Sequence, residues 1–327
     1  MICIQIKTHK KDITTMKNKI YLPVIFGLVT AIAACNPTPP IDDTMLDSGK
    51  YSFAVPDSLQ KRLVSNYIAN PTEVQKNTPV IIAAHGYSAT TFEWDELRDY
   101  ADSAKTFYVS QVLLGGHGRS YTDFKSSTWQ IWQSSIRDEY VKLSQKGYRK
   151  IYLTGSSTGG PLIIQLLTTT LFAESPELKG IFLIDPIVVS SDKQLSLVGL
   201  LGLVLGYTET EMSDGEKGKW YVYRPQETLR QLMSLIDLTR RELQRGIKVP
   251  DEIYMKVYKT VKDDAADPVS AVLIYNGIKY DNKHIDVEMI DSRLHVFTRL
   301  RGRAEITEKD RSLQRKAFRE MEAKMTK

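Results

Sequence analysis

One pentapeptide of this chain combines the residue types that nucleophilic catalysis needs. Residues 155–159 read G-S-S-T-G, so Ser157 stands at the centre of a G-x-S-x-G pattern. A short β-rich run, residues 151–154, precedes the pattern, and an apolar helical pattern, residues 162–167, follows it. A strand–turn–helix of this kind exposes its serine at a turn so tight that only small neighbours fit. The pattern therefore predicts a nucleophile at position 157.

A serine hydroxyl is a weak nucleophile, and it needs a base that is itself oriented by a carboxylate. Of the five histidines, His295 lies in the loop after the last predicted strand. Asp263, Asp264 and Asp267 crowd the turn that follows the preceding strand. The order serine, aspartate, histidine is thus complete, but spacing alone does not choose among the three aspartates.

Hydrolysis by such a serine also needs hydrogen-bond donors for the oxyanion that forms on the substrate. The apolar run over residues 78–84 leads directly into His85-Gly86-Tyr87. This turn resembles the H-G turn that supplies an oxyanion amide in α/β-hydrolases, and the resemblance implies the Tyr87 amide as one donor. The second is the amide of Thr158, at the N-terminus of the helix that follows Ser157.

The elements that must position these residues alternate between strand and helix, with buried strands at residues 107–114, 180–184, 253–260 and 284–290. The first strands are expected within 51–67. The alternation stops after Asp185-Pro186 and resumes near Pro250, so residues 187–250 are expected to form a helical cap, with helices over 195–205 and 227–243. The charged segment 304–327 is expected to be a solvated helix.

The beginning of the chain has a different character. Residues 1–34 contain a basic stretch and a short apolar run, which are typical of a signal peptide, and I-A-A-C ends at Cys35. This sequence resembles the lipobox of bacterial lipoproteins, which implies cleavage before Cys35 and its lipidation; an ordinary secretory signal or a retained anchor are the alternatives. The proline-rich residues 35–50 are expected to be a tether. Most of the net charge of +5 lies in residues 1–34, so nothing indicates nucleic-acid binding.

Over about residues 78 to 300 the chain resembles the α/β-hydrolase superfamily, and within it the prokaryotic carboxylesterase and monoacylglycerol lipase group. The resemblance rests on five motifs: His85-Gly86-Tyr87, the G-H-G of residues 116–118, Trp129 with Trp132, T-L-x-x-L-x-x-L-I at 228–236, and D-x-x-x-x-P-x-S-A from 263. In that group the aspartate five residues before the proline is the catalytic acid, which implies Asp263. The S-S-T of the serine turn and the S-R-L-H around His295 depart from the usual pattern.

The resemblance implies an α/β-hydrolase fold: a mostly parallel central sheet flanked by helices, built from residues 51–186 and 251–303, with the cap inserted after the sixth strand. It implies a serine hydrolase that cleaves short or medium acyl esters or monoglycerides, through Ser157, Asp263 and His295, with no cofactor and no metal. The expected location is the bacterial cell envelope outside the cytoplasm, with a lipid anchor in a membrane. A thioesterase or peptidase of the same superfamily, or a non-catalytic lipoprotein that uses the fold for binding, are the alternatives.

Overall fold

The computed structural model describes residues 38–50, 61–172, 176–191 and 206–327. The predictions for the leader, for Cys35 and for the helix over 195–205 lie outside these residues. The strands of the described residues are β1 (Val80–Ala84), β2 (Tyr108–Val112), β3 (Ile151–Ser156), β4 (Leu178–Ile184), β5 (Tyr207–Glu209), β6 (Tyr223–Pro225), β7 (Ile247–Lys248), β8 (Tyr254–Thr260), β9 (Ile278–Lys279) and β10 (Asp286–Ile290).

A six-stranded sheet in the order β10-β8-β4-β3-β1-β2 forms the centre of the fold, and every neighbouring pair in it is parallel. Strand β1 shows why: all five of its residues are buried and apolar, as expected for a strand covered on both faces. Val80, Ile82 and Ala84 join the hydrophobic core on one face, and Ile81 and Ala83 join the core on the other. The predicted parallel α/β sheet is confirmed.

Helices cover both faces of this sheet. The α-helices of the described residues are α1 (Val64–Tyr67), α2 (Glu73–Asn77), α3 (Asp95–Ala104), α4 (Tyr121–Ser126), α5 (Trp129–Gln145), α6 (Gly159–Leu167), α7 (Gln226–Arg245), α8 (Val269–Gly277) and α9 (Glu308–Met325). Helices α3 and α9 bury apolar side chains on one face, and α5, α6, α7 and α8 do so on the other. The site therefore lies on a rigid three-layer scaffold.

The predicted cap is only partly helical in the residues that are described. Its amphipathic helix is present as α7, which buries Leu229, Leu232, Leu235 and Ile236 on one side. Before α7, however, β5 and β6 form an antiparallel hairpin in which Thr208 pairs with Arg224. No alternating pattern is visible there because each strand has only three residues.

One prediction near the start of the domain was wrong, and another is tested only in part. The segment over 35–50 is not a free tether throughout, because Leu46 is fully buried in the core and Asp47 accepts hydrogen bonds from the amides of Val222 and Tyr223 at 2.9 and 3.0 Å. Of the range 51–67, in which the first strands were expected, residues 61–67 hold the short helix α1, and residues 51–60 lie outside the described residues. Both segments take their conformation from distant partners, which local sequence does not reveal.

The C-terminal helix α9 is also more than a solvated element. Thr307 and Asp310 form a capping box at its start, and Ala317, Phe318, Met321 and Met325 are buried against the sheet. Its charged residues also contact the domain, since Glu320 Oε2 lies 2.6 Å from Lys256 Nζ on β8. Within the described ranges, no helix is both long and apolar enough to cross a bilayer.

Candidate active site

The turn around Ser157 is built by close backbone approaches. Ser157 has a φ of 47°, in the left-handed region that costs a non-glycine residue about 1–3 kcal/mol. A Cβ added at Gly155 would lie 2.5 Å from the Gly159 carbonyl, and one added at Gly159 would lie 2.5 Å from the Ala84 oxygen. Glycine is therefore required at both positions. The strained turn leaves Ser157 at the carboxyl end of β3 and at the start of α6.

Asp263 and His295 meet on the loops that follow β8 and β10. His295 Nδ1 lies 2.8 Å from Asp263 Oδ2, and Oδ1 of the same carboxylate accepts hydrogen bonds from the amides of Ala265 and Ala266 at 2.8 and 3.0 Å. The Asp263 side chain is fully buried, whereas that of His295 is one quarter exposed. With Nδ1 held by the carboxylate, Nε2 of the imidazole is the nitrogen available to a substrate.

The other two candidate aspartates lack this contact. Asp264 is exposed, although it lines the cavity described below. Asp267 Oδ1 accepts a hydrogen bond from the Val269 amide at 2.8 Å, and this bond stabilises the start of α8. Of the three, only Asp263 contacts the imidazole.

A buried lysine that sequence reasoning did not single out completes this cluster. Lys259 is 0% exposed and its Nζ lies 2.6 Å from Asp263 Oδ2 and 3.2 Å from Asp185 Oδ1. Asp185 follows β4 directly and adopts a φ of 46°. Its carboxylate also accepts hydrogen bonds from the amides of Thr260 and Phe297 at 2.6 and 3.3 Å. Asp185 therefore joins the ends of β4 and β8 to the loop that carries His295.

The surroundings of Asp263 act on its acidity in opposite directions. Burial raises the pKa of the carboxyl group, but the hydrogen bond from His295 and the positive charges of His295 and Lys259 outweigh it. The pKa of Asp263 lies well below its ordinary value as a result, so the carboxylate stays ionised throughout the neutral range.

Asp185, Asp263 and His295 also offer possible metal ligands, with one atom of each within 4.8 Å of the others. The Lys259 ammonium, however, contacts both carboxylates and already compensates their charge. A cation would have to displace it. We therefore assign the cluster to the positioning of His295 rather than to a metal.

The two expected oxyanion donors are free to receive a ligand. Neither the Tyr87 amide nor the Thr158 amide makes a hydrogen bond to any residue that the structure describes. The turn that carries Tyr87 lies against Ser157, because a Cβ added at Gly86 would be 3.1 Å from the Ser157 Cβ. Glu93 accepts a hydrogen bond from the Gly86 amide at 2.8 Å and another from the Ser156 hydroxyl, which fixes this turn against the end of β3.

A cavity of about 380 Å³ connects these groups and is lined by Tyr87, Ser157, Thr158 and His295. Cavities of this size suit a small-molecule ligand. Ser157 and His295 both face it, yet no hydrogen bond joins their side chains in the described part of the chain. Catalytic hydrogen bonds are often loose in unliganded enzymes and shorten when substrate binds.

Comparison with known proteins agrees with this architecture. The structure superimposes on a soluble variant of monoglyceride lipase from Saccharomyces cerevisiae with a TM-score of 0.60 and 12% identity, over 78% of this chain and 88% of that one. It matches a monoacylglycerol lipase from Paleococcus ferrophilus with a TM-score of 0.56 and 17% identity, over 76% of this chain and 96% of that one. This chain therefore has the α/β-hydrolase fold.

Comparison of the sequence with known proteins indicates the class of enzyme. The chain is 29% identical over 218 residues to a thermostable monoacylglycerol lipase from Bacillus sp. (strain H-257), which covers 64% of this chain and 81% of the relative. No protein-family model matches the chain. With this relative, the chain is assigned as an enzyme of the lipase and esterase type, a serine hydrolase.

The structure also contains the two histidines of the H-G and G-H-G motifs described above. His85 and His117 are both fully buried. His85 Nε2 accepts a hydrogen bond from the Leu114 amide at 3.1 Å, and its ring lies 5.2 Å from that of His117. Burial lowers the pKa of both imidazoles, to about 4 for His85. They support the turns beside the cavity, because Nδ1 of each ring contacts a carbonyl oxygen of its own turn.

Lys259→Met should destabilise this hydrolase by about 3–5 kcal/mol, because it leaves two buried carboxylates side by side without their counter-charge. Lys262→Met is the matched control, since that side chain is 62% exposed and its nearest acid, Asp291, is 3.6 Å away. We expect the control to change stability by less than about 0.5 kcal/mol. Urea unfolding at pH 7 measures both, and equal effects would contradict the assigned role of Lys259.

Proposed function

We propose that this hydrolase cleaves carboxylic esters through an acyl-enzyme formed on Ser157. The contact that carries the proposal is the one between Asp263 and His295, beside the cavity that Ser157 also faces. A carboxylate on Nδ1 fixes the imidazole tautomer and stabilises the imidazolium, which are the two tasks of the acid in a serine hydrolase. Ser157, Asp263 and His295 are the proposed triad.

The proposed reaction has two halves. His295 Nε2 takes the proton of the Ser157 hydroxyl as its oxygen attacks the ester carbonyl, and the amides of Tyr87 and Thr158 stabilise the oxyanion. The imidazolium then gives that proton to the departing alcohol, which leaves an acyl group on Ser157. Water, activated by the same imidazole, attacks the acyl-enzyme, and the carboxylic acid leaves with the serine restored.

Short or medium acyl esters and monoglycerides are the proposed substrates. The sequence relative is a monoacylglycerol lipase, and a cavity of about 380 Å³ suits a ligand of that size. Leu229 and Leu232 on α7 line it beside Ile187, which provides an apolar wall for an acyl chain.

The test compares substrates that carry an ester, a thioester or a peptide bond. We expect the purified enzyme to hydrolyse p-nitrophenyl butyrate and 1-butyrylglycerol with a kcat/KM at least about 100-fold above that for an N-terminal peptide amide, because this chain is related to lipases. Butyryl-coenzyme A tests the thioesterase alternative in the same assay. A preference for thioester or peptide would change the proposed bond, and no turnover of any of them would favour a binding protein.

We also propose that Cys35 is lipidated and holds the hydrolase at a bacterial membrane, outside the cytoplasm. The support is the I-A-A-C sequence after a short apolar run. In cells fed an alkyne-labelled fatty acid, the full-length protein should incorporate the label and sediment with membranes. Cys35→Ser should abolish incorporation; label retained in that variant would contradict the anchor.

A further inference from the structure

Arg224 is the feature of the cavity that the proposed function leaves unused. It lies on strand β6 of the hairpin and lines the same cavity as Ser157 and His295. Its Nε is shielded from solvent and has no hydrogen-bond partner among the residues that the structure describes. In the described residues its guanidinium makes no ion pair either. Such a group is costly to bury unless a ligand completes it.

The nearest aromatic group to Arg224 is the ring of Tyr87, whose centroid lies 5.9 Å from the guanidinium carbon. The Tyr87 hydroxyl is 2.6 Å from the Thr228 hydroxyl, so this ring is held in place. Since Tyr87 also supplies a proposed oxyanion amide, Arg224 stands over a residue that borders the reacting atoms. Because Arg224 lies this close to the proposed oxyanion site, a group that it binds would be part of the substrate that carries the ester.

The two other arginines of the cavity already have partners. Arg299 Nη1 lies 2.7 Å from Glu216 Oε1, and its guanidinium stacks 4.7 Å from the Trp220 ring. Arg303 donates to the carbonyl oxygens of Arg299 at 2.7 Å and of His295. These arginines hold the cavity wall, whereas Arg224 lines the same cavity without an ion-pair partner in the described part of the chain.

The acids that line the cavity do not neutralise Arg224. Glu93 is bound to the Gly86 amide, and Glu216 is bound to Arg299 and Ser213. Glu211 and Asp264 are exposed, and neither forms an ion pair with Arg224. Burial lowers the pKa of Arg224, and no carboxylate opposes that effect.

From this geometry we infer that Arg224 binds an oxyanion carried by the substrate, so that the enzyme prefers esters with a carboxylate or phosphate group to their neutral counterparts. The inference rests on the proposed ester hydrolysis and names its substrate class. A planar guanidinium binds two oxygens of such a group at once, which an ammonium cannot do. A carboxylate would be carried on the acyl chain, and a phosphate on the alcohol.

Two matched substrate pairs distinguish these sources. The first is 4-nitrophenyl hydrogen glutarate against 4-nitrophenyl pentanoate, and the second is 1-butyrylglycerol 3-phosphate against 1-butyrylglycerol. The ratio of kcat/KM, anionic over neutral, should exceed one in at least one pair. In that pair Arg224→Gln should lower the ratio by about tenfold or more, as expected for a charged hydrogen-bonded contact, and Arg224→Lys should lower it less.

Arg245→Gln is the matched control, because Arg245 is 69% exposed and pairs only with Glu242 on the outside of α7. It should leave both ratios unchanged. If the Arg224 variants leave both ratios as in the unsubstituted enzyme, the inference is overturned, even though ester hydrolysis itself persists.

A binding measurement tests the anion site at Arg224 separately from the proposed ester hydrolysis. Calorimetric titration of Ser157→Ala with 4-nitrophenyl hydrogen glutarate and with 1-butyrylglycerol 3-phosphate should show the dissociation constant for the preferred anion rising about tenfold or more when Arg224→Gln is added. If no ester is turned over but this dependence is found, the ester proposal fails and the anion site stands. If neither ligand responds to Arg224→Gln, the anion site fails regardless of turnover.

Discussion

Ser157→Ala should lower kcat/KM for p-nitrophenyl butyrate by about 10⁴-fold to 10⁶-fold, the loss seen when the nucleophile of a serine hydrolase is removed. The physical reason is that no other hydroxyl takes the same place: the φ of 47° at Ser157 presents that one side chain to the cavity. Initial rates of p-nitrophenol release measure the effect, with circular dichroism to show that the fold is retained.

The neighbouring serine is the matched control for this substitution. Ser156 is fully buried, and its hydroxyl contacts Glu93 and the Ala84 carbonyl instead of the cavity. Ser156→Ala should therefore reduce kcat/KM by no more than about tenfold, the order of one lost neutral hydrogen bond. Comparable losses in the two variants would show that Ser157 acts through the structure of the turn and not as a nucleophile.

Asp263→Asn should lower kcat by about 10⁴-fold, as replacing the acid of a triad by its amide favours the wrong imidazole tautomer. An amide group at this position can donate to Nδ1, so the imidazole would carry its proton on Nε2 and could not accept one from serine. It also cannot stabilise the imidazolium. The rate with saturating p-nitrophenyl butyrate is the measurement.

Two further aspartates in the same turn provide controls of identical chemistry. Asp264→Asn and Asp267→Asn should each change kcat by less than about tenfold, because neither carboxylate contacts His295. If either reduced the rate as much as Asp263→Asn does, the acid of the proposed relay would be misassigned.

Local sequence was enough to predict the serine turn and the sheet. The G-x-S-x-G pattern lies between an apolar strand and an apolar helix, and each of these signals is complete within about 20 residues. The continuous apolar run of β1 likewise predicted a strand buried on both faces. Such features depend on neighbours along the chain, which is why pattern and periodicity reveal them.

The cluster around Lys259 could not be predicted in the same way. Asp185 and Lys259 are 74 residues apart and meet because β4 and β8 are neighbours in the sheet, across the cap insertion. A lysine in a buried strand was the one available signal, and it does not name a partner. Only the strand order brings both carboxylates to one ammonium group.

The position of Arg224 in the cavity could not be predicted from local sequence either. Its strand is too short to show alternation, and its place over Tyr87 depends on how the hairpin folds back onto the domain. Leu46 illustrates the same limit, since a proline-rich segment gave no sign that one of its residues enters the core. Long-range packing overrides local composition at these positions.

Ser157 is proposed to act as a nucleophile that His295 activates. The most direct measurement is to treat the enzyme at pH 7 with a fluorophosphonate, digest it, and locate the adduct by mass spectrometry. We expect one phosphonylated residue, Ser157, formed at least about 100-fold more slowly in His295→Gln. An enzyme that is not labelled, or whose labelling at Ser157 proceeds equally fast without His295, would contradict this role of Ser157.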